Sequence, residues 1–278
     1  MKAAEAIYTS VNGVRRWLYR RGALKSQRLP RPVVSIGNIT AGGAGKTPAV
    51  IALANALTRR GIRVAVLTRG YGRSDTSFNG LMDTPDPDRF GDEPSLIKTK
   101  ADKADVIVGV NRYMNAIDYL RRNDCDVFVL DDGFQHLQLH RDLDIVIDAP
   151  GSFHRERRSA LRHAAIVIPR RLDVRIPEPV RGRRVFAFAG LANPQQFFDS
   201  LTHHGVDLRG QAAFADHHRY TDSDLAKIDT TARACGADVI ATTEKDAVKI
   251  RRSDIIAVPA EFDLPAEVID RAAALVRK

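Results

Sequence analysis

Short apolar runs alternate with segments of helical periodicity along most of this chain. The apolar runs predict buried strands at residues 33–37, 63–68, 105–109, 126–130, 144–148, 165–168, 184–189 and 238–242. The segments between them predict helices at residues 48–60, 92–101, 112–122, 194–204, 222–235 and 265–277. Strands that alternate with helices are typical of a parallel sheet whose two faces are covered by helices. The pattern therefore predicts an α/β fold.

A stretch rich in proline and arginine, residues 169–183, interrupts this alternation and has the composition of a linker. The chain has 278 residues, which is enough for about two domains at roughly 150 residues each. We therefore predict a larger domain over residues 1–180 and a smaller α/β domain over residues 181–278.

The first predicted helix covers about residues 3–21 and is amphipathic. Apolar side chains at intervals of three or four residues form one face of it, at Ala4, Ile7, Val11, Val14 and Leu18. Aromatic and basic residues accompany this face at Arg15, Arg16, Trp17, Tyr19, Arg20 and Arg21. Such a helix can lie on an anionic membrane surface. The alternative is a helix that docks on its own domain and exposes its basic face to solvent.

The positive charge of the chain is concentrated in two segments. The net charge is +9; residues 1–31 hold eight basic residues and one acid, and residues 155–184 hold ten arginines and three acids. Two basic patches imply polyanionic partners such as phosphates, an anionic membrane or nucleic acid. The chain carries no helix-turn-helix, RNA-recognition or zinc signature, so nucleic acid is not predicted as a partner.

The composition excludes several classes of protein. Hydrophobic residues make up 44% and charged residues 28% of the chain, which is ordinary for a globular protein and excludes wholesale disorder. The two cysteines, Cys125 and Cys235, lie far apart, so a disulfide scaffold or a zinc module is excluded. Apolar runs stay well short of the roughly 18 residues that cross a bilayer.

The strongest chemical signal is a glycine-rich turn between a predicted strand and a predicted helix, in VVSIGNITAGGAGKTP at residues 33–48. Glycines let successive backbone N–H groups point at phosphate oxygens, and Lys46 would reach the β- and γ-phosphates of a nucleotide. Thr47 would place its hydroxyl on Mg²⁺. The strict P-loop pattern has glycine where Thr40 stands. The predicted phosphate-binding residues are Thr40, Ala41, Gly42, Gly43, Ala44, Gly45, Lys46 and Thr47.

A second acidic signal supports this prediction. Residues 126–132 (DVFVLDD) form an apolar run that ends in Asp131 and Asp132. A strand of this kind resembles the Walker B strand, whose terminal carboxylate belongs to the Mg²⁺ site. The alternative is a strand that ends in a solvated acidic turn.

Transfer of a phosphoryl group to an alcohol also requires a group that accepts the hydroxyl proton. Asp92 and Glu93 are candidates, although acids at a predicted helix start can also be simple caps. His217 and His218 are further candidates, with surface residues or a weak metal site as the alternative. Lys245 and its neighbour Asp246 match a guanine-specificity motif only weakly, because the spacer residue between them is missing.

Seven segments, in chain order, carry a resemblance to a known family. They are SIGNITAGGAGKTP (35–48), TRGYGR (68–73), GDEPSLI (91–97), LDDGFQHLQLHRDLDIVIDA (130–149), FAGLANPQQFFDSL (187–201), FADHHRY (214–220) and TTEKDAVKI (242–250). On these motifs the chain resembles the tetraacyldisaccharide 4′-kinase family, kinases of the lipid A pathway. Threonine at the first loop position, Thr40 here, is the usual form in that family. The chain departs from it at residues 148–164, which are shorter than the corresponding stretch.

The resemblance implies a P-loop domain joined by a hinge to a smaller α/β domain, with the active site in the cleft between them. It implies transfer of the γ-phosphate of ATP to the 4′-hydroxyl of an acylated glucosamine disaccharide 1-phosphate, which gives lipid IVA. It also implies a requirement for Mg²⁺ and a peripheral location on the cytoplasmic face of the inner membrane.

Residue roles follow from the same resemblance. Asp92 would act as the catalytic base with His217, His218 being the alternative partner, and Lys46 and Asp132 would complete the catalytic set. The implied metal ligands are Thr47, Asp131, Asp132 and Glu156.

A different class of protein also fits the phosphate loop. A P-loop GTPase or ATPase that serves as a switch or a metallochaperone would hydrolyse nucleotide without an acceptor. It would usually carry metal ligands, and the scarcity of cysteine counts against it.

Overall fold

The computed structural model describes residues 2–151 and 153–276. The first part of the chain forms the helices α1 (Lys2–Arg20), α2 (Lys46–Arg59), α3 (Pro87–Phe90), α4 (Asp92–Lys100) and α5 (Arg112–Leu120), with a 3₁₀ turn at Arg158–His163. Its strands are β1 (Val33–Asn38), β2 (Thr40–Ala41), β3 (Val64–Thr68), β4 (Gly80–Leu81), β5 (Asp105–Val108), β6 (Val127–Asp131), β7 (Leu143–Asp148), β8 (Phe153–His154) and β9 (Ile166–Pro169). The predicted strands of this part form within one residue of their predicted ends.

These strands build a seven-stranded sheet in the order β4-β5-β3-β6-β1-β7-β9. All neighbours are parallel except the short edge strand β4. The register places Ile36 of β1 opposite Asp131 of β6. The carboxyl ends of these two central strands therefore lie side by side, and ligands bind at such edges in open α/β sheets.

Both faces of the large sheet are covered, as the continuous apolar strands predict. Leu53 and Leu57 of α2 belong to the core on one face. Ala116 and Tyr119 of α5 belong to the core on the other. The α/β prediction is confirmed.

The second part of the chain contains β10 (Leu172–Val174), a 3₁₀ turn (Glu178–Val180), β11 (Arg184–Ala189), α6 (Pro194–His203), β12 (Asp207–Ala213), α7 (Asp222–Ala234), β13 (Val239–Thr243), α8 (Glu244–Ala247), β14 (Ile255–Val258), β15 (Ala260–Phe262) and α9 (Ala266–Ala274). A parallel four-stranded sheet has the order β12-β11-β13-β14. Its edge strands, β12 and β14, were not predicted. In β12 (DLRGQAA) exposed positions alternate with half-buried ones, so the strand lacks an apolar run.

The predicted linker, residues 169–183, is more structured than its composition indicates. Its strand β10 pairs with β15 in an antiparallel ribbon, with Leu172 opposite Phe262. The chain then returns to the large sheet, because the apolar face of α9, with Val268 and Ala272, is buried in the same core as α2. The predicted boundary assigns all of residues 181–278 to the small domain, but α9 packs against the large sheet.

Helix α1 docks on the large part of the molecule with its polar face inward. Thr9, Asn12 and Arg16 are buried, whereas Val11 and Val14 are 53% and 57% exposed. The alternative expectation for this helix is therefore met in part: the helix docks on its own chain, but the face that it exposes is the apolar one. Within residues 2–151 and 153–276, no helix has the length and hydrophobicity to cross a bilayer.

Candidate active site

The glycine-rich loop between β1 and α2 has the backbone of a phosphate-binding loop. Gly42, Gly43 and Gly45 have φ angles of +85°, +39° and +80°, in the left-handed region that favours glycine. A Cβ at Gly45 would also lie 3.2 Å from the Phe262 ring. No side chain in the described part of the chain caps α2. Its first N–H groups are therefore free to bind an anion, with the helix dipole in support.

The remaining loop residues hold this backbone in place. Thr40 is buried, and its hydroxyl donates to the Ala149 carbonyl at 3.3 Å. Ala41 pairs with Phe153 in the short β2–β8 ribbon. Ala44 is buried in the core beneath the loop. Thr40 therefore serves as a structural anchor at the position where the strict motif has glycine.

Four polar side chains converge beside the loop, and we call them the phosphate cluster: Asn38, Lys46, Asp132 and Arg155. Lys46 Nζ lies 3.3 Å from Asn38 Oδ1 and 3.8 Å from Asp132 Oδ1. Two guanidinium nitrogens of Arg155 donate to the two carboxylate oxygens of Asp132, each at 2.8 Å. The same guanidinium also donates to Asn38. Asp132 is thus enclosed by two positive charges.

The two adjacent aspartates after β6 have opposite ionisation behaviour. The pKa of the Asp131 carboxyl is raised to about 7, because the group is buried and lies near the negative charges of Glu93 and Asp132. Burial would also raise the pKa of Asp132, but Lys46 and Arg155 outweigh it and hold that pKa well below its usual range. Asp132 also has a φ of +49°, an uncommon conformation for a residue other than glycine. Asp132 is therefore a fixed carboxylate beside the phosphate loop.

Glu156, the fourth implied metal ligand, is engaged elsewhere. Arg16 of α1 donates to its two carboxylate oxygens at 2.6 and 2.9 Å. Gln135 donates to one of these oxygens at 3.2 Å. Because both oxygens already accept hydrogen bonds from buried groups, this arrangement gives no support to the prediction that Glu156 binds the metal.

A second cluster contains side chains from both parts of the molecule. We call it the dyad cluster, and its members are Asp92, His217, Lys245 and Lys249. Asp92 Oδ2 lies 3.1 Å from His217 Nδ1, although the two residues are 125 positions apart in the chain. Asp92 is the first residue of α4. The preceding Gly91 has a φ of +97°, and a Cβ there would lie 2.7 Å from the Tyr71 carbonyl oxygen.

The two lysines determine how this pair is protonated. Lys245 Nζ lies 3.2 Å from His217 Nε2, and an ammonium group can only donate. Nε2 therefore accepts, and the proton on Nδ1 is donated to Asp92. Lys249 Nζ lies 3.5 Å from Asp92 Oδ2. Burial would raise the pKa of Asp92, but the His217 hydrogen bond and the Lys249 charge outweigh it and lower that pKa below its usual value.

The neighbouring candidates have structural roles. His218 Nε2 lies 3.1 Å from Asp224, which belongs to the capping box of α7. Asp246 is fully buried, and it accepts hydrogen bonds from the Gly190 amide, the Thr243 hydroxyl and Lys249. Asp246 is therefore a packing residue, whereas its neighbour Lys245 belongs to the dyad cluster, and the structure brings His217, not His218, to Asp92.

Glu93 connects the two clusters. It follows Asp92 in α4, and its charge is one of the causes that raise the pKa of Asp131. Lys245 lies 3.8 Å from Glu93 on its other side. Gly91, just before Asp92, packs on Tyr71 in the loop after β3, and Asp131 ends the neighbouring strand β6, so both clusters lie at the carboxyl end of the large sheet. Sequence reasoning missed Asn38 and Lys249 here, although Asn38 ends the strand before the loop and Lys249 lies four residues after Lys245.

The fold and this site define a class of protein, a P-loop nucleotide-binding enzyme with a smaller α/β part. The family described as LpxK, tetraacyldisaccharide-1-P 4′-kinase, matches residues 1–169 and 153–277. Tetraacyldisaccharide 4′-kinase from Pelobacter propionicus is 35% identical, over 88% of this chain and 81% of its own length. The enzyme of that name from an Anaeromyxobacter species is 36% identical, over 97% and 88%.

A solved structure agrees with the sequence matches. The crystal structure of LpxK from Aquifex aeolicus in complex with ATP superposes with a TM-score of 0.80 and 27% identity, over 99% of this chain and 96% of that one. The chain belongs to the tetraacyldisaccharide 4′-kinase family, and the resemblance found in the sequence motifs is confirmed.

Proposed function

We propose that this protein transfers the γ-phosphate of ATP to the 4′-hydroxyl of a tetraacylated glucosamine disaccharide 1-phosphate, which yields lipid IVA and ADP. The observation that carries the proposal is the Asp92–His217 pair beside the phosphate cluster. Together with family membership, it favours a kinase over a switch. A P-loop protein that only hydrolyses nucleotide has no need of a separate carboxylate–histidine pair at the same end of the sheet.

In the proposed reaction Asp92 accepts the proton of the 4′-hydroxyl. The hydroxyl oxygen forms a bond to the γ-phosphorus while the bond from that phosphorus to the β-phosphate oxygen breaks, and ADP leaves with the electron pair. The lowered pKa of Asp92 keeps it ionised at neutral pH. His217 holds the Asp92 carboxylate through its Nδ1 proton, and Lys245 fixes that tautomer. General base catalysis of this kind contributes about 10²–10⁴-fold.

The phosphate cluster would bind and neutralise the nucleotide. The amides of residues 40–47 and the start of α2 would hold the phosphates, and Lys46 would contact the β- and γ-phosphates. Asn38 would hold Lys46 beside the loop, and Arg155 would hold Asp132 there, through the hydrogen bonds described above. Catalysis in such sites is mostly positioning and charge stabilisation.

The residues present fit a magnesium ion. Thr47, Asp131 and Asp132 would hold it, since hydroxyl and carboxylate oxygens are the donors that this hard cation takes. Asp132 would exchange one of its Arg155 hydrogen bonds for the ion, and its side chain, unlike that of Glu156, is open to solvent, with 39% exposed against 4%. The raised pKa of Asp131 supports the fit, because it marks a buried carboxylate beside other negative charges. When bound, the ion would neutralise charge on the β- and γ-phosphate oxygens.

The exposed face of α1 would bring the enzyme to its lipid acceptor. Ile7, Val11, Val14 and Trp17 are each more than half exposed, and Arg20 and Arg21 follow them. An apolar face flanked by arginines suits insertion into the surface of an anionic bilayer. We place the protein at the cytoplasmic face of the inner membrane as a peripheral enzyme, with the small sheet able to close over the cleft.

A labelled-phosphate assay separates this function from the switch. The protein is incubated with γ-labelled ATP, Mg²⁺ and the acylated disaccharide 1-phosphate in mixed micelles, and products are separated by chromatography. We expect label in a new lipid phosphomonoester that is absent without acceptor. Release of free phosphate alone, at the same rate with and without acceptor, would favour the switch.

A further inference from the structure

Helix α1 has an inner face that the membrane proposal does not use. Asn12 and Arg16 lie on this face, each 7% exposed, and both belong to the polar side of the helix. A surface helix normally buries its apolar side instead. Burial of an arginine is costly unless its charge is paired, so these contacts call for an explanation beyond packing.

The contacts of Arg16 lead to the segment that follows the acidic strand. Besides its bidentate pair with Glu156, Arg16 donates to the Phe134 carbonyl at 3.1 Å. Its guanidinium lies 4.3 Å from the centre of the Phe134 ring. Gln135, the next residue, donates to Glu156 and, at 2.7 Å, to the Asn38 carbonyl. One arginine thus ties α1 to the loop after Asp132 and to Glu156.

The contact of Asn12 leads to the phosphate cluster itself. Its side-chain amide donates to the Arg155 carbonyl at 2.8 Å, across 143 positions of sequence. The backbone amides of Arg155 and Glu156 both donate to the Ile39 carbonyl, at 2.7 and 3.2 Å, just before the phosphate loop. The backbone of Arg155 is therefore fixed from two sides while its guanidinium holds Asp132.

We propose that α1 is a positioning element of the nucleotide site, in which Asn12 and Arg16 hold residues 155–156 so that Arg155 engages Asp132 and Asn38. Neither α1 residue is a catalytic residue, since Asn12 acts through the backbone of Arg155 and Arg16 through the neighbouring Glu156. The inference rests on the proposed ATP site and is independent of the proposed lipid acceptor. It gives the helix two functions on opposite faces, an outer one toward lipid and an inner one toward nucleotide.

The test is calorimetric titration of the full chain with Mg-ATP in detergent, without acceptor. Asn12→Ala removes one hydrogen bond and no charge, and we expect it to weaken Mg-ATP binding about threefold. Arg16→Met should weaken binding about tenfold or more. Arg122→Met, which changes an exposed arginine outside both clusters, is the matched control and should stay within about twofold of the unaltered chain.

A double-mutant cycle separates positioning from loss of stability. In an Arg155→Met background, where the guanidinium is absent, Asn12→Ala should change Mg-ATP affinity by less than about 1.5-fold. Equal effects of Asn12→Ala in both backgrounds, or no effect in either, would overturn the inference. The cycle decides the matter even if Arg16→Met fails to fold. Absence of Mg-ATP binding by the unaltered chain would instead contradict the proposed function.

Discussion

The phosphate cluster and the dyad cluster are built in different ways. All four residues of the phosphate cluster belong to the large part of the molecule: Asn38 and Asp132 lie at the ends of the neighbouring strands β1 and β6, Lys46 begins α2, and Arg155 follows β8. The dyad cluster takes Asp92 from the large part of the molecule and His217, Lys245 and Lys249 from the small part. The first is complete within the large part, whereas the second forms only when both parts meet. Substitutions in the two clusters should therefore affect different steps, nucleotide use in the first and proton transfer from the acceptor in the second.

The largest effect is expected in the phosphate cluster. Lys46→Ala should lower kcat/KM for ATP by about a thousandfold, because it removes the charge that stabilises the transferring phosphoryl group. Initial rates of label transfer measure this, with Lys103→Ala as an exposed control. Turnover within about tenfold of the unaltered enzyme would remove Lys46 from the proposed mechanism.

A smaller loss is expected for the histidine of the dyad cluster. His217→Ala should lower kcat about a hundredfold with little change in KM for ATP, since it frees Asp92 from its hydrogen bond. Its neighbour offers the matched comparison, because His218→Ala removes the contact with Asp224 and the packing against Phe214 and Tyr220 but leaves Asp92 paired. Melting curves of the His217 and His218 variants establish that both proteins are folded. Equal losses from the two substitutions would mean that His217 is not specific to catalysis.

The dyad cluster also predicts a change with pH. In the proposed mechanism activity requires ionised Asp92, so the rate should fall as pH drops through its pKa, which is lower than usual. Lys249→Met removes a positive charge 3.5 Å from Asp92 and should raise that pKa. The acidic limb of kcat/KM should then move upward by about one pH unit. The control is Lys227→Met, which changes an exposed lysine. If the acidic limbs of the Lys249 and Lys227 variants fall at the same pH, the limb does not report the ionisation of Asp92.

The smallest effect is expected outside both clusters, on the outer face of α1. Val11→Ser should weaken binding to anionic vesicles about fivefold in a flotation assay, because one exposed valine no longer enters the bilayer surface. Val167→Ser changes a valine that is 42% exposed on β9 and should leave binding as it was. Equal vesicle binding by the Val11 variant and the unaltered chain would make the exposed face of α1 irrelevant to the membrane.

The difference between the clusters also explains what the sequence could predict. The phosphate loop and the acidic strand are contiguous motifs, and strand register turns them into neighbours once the sheet is parallel. The predicted strands at the centre of both sheets formed because they are continuously apolar. The edge strand β12 was missed because its pattern, DLRGQAA, carries little hydrophobic signal.

Contacts between distant segments were harder to predict. The pairing of Asp92 with His217 followed from family resemblance, since nothing in either local pattern selects the other. The face that α1 buries could not be predicted at all from its periodicity. Arg16 pairs with Glu156, which lies 140 positions away, and no local pattern in α1 indicates that partner.

The central claim is that one cluster binds nucleotide while the other removes the acceptor proton. Asp92→Asn tests it directly, because the amide keeps the shape of the side chain and loses its basicity. Calorimetry should give an Mg-ATP dissociation constant within about threefold of the unaltered enzyme, while the single-turnover rate of label transfer falls about a hundredfold or more. A loss of Mg-ATP affinity that accounts for the whole loss of rate, or an unchanged rate, would contradict the account.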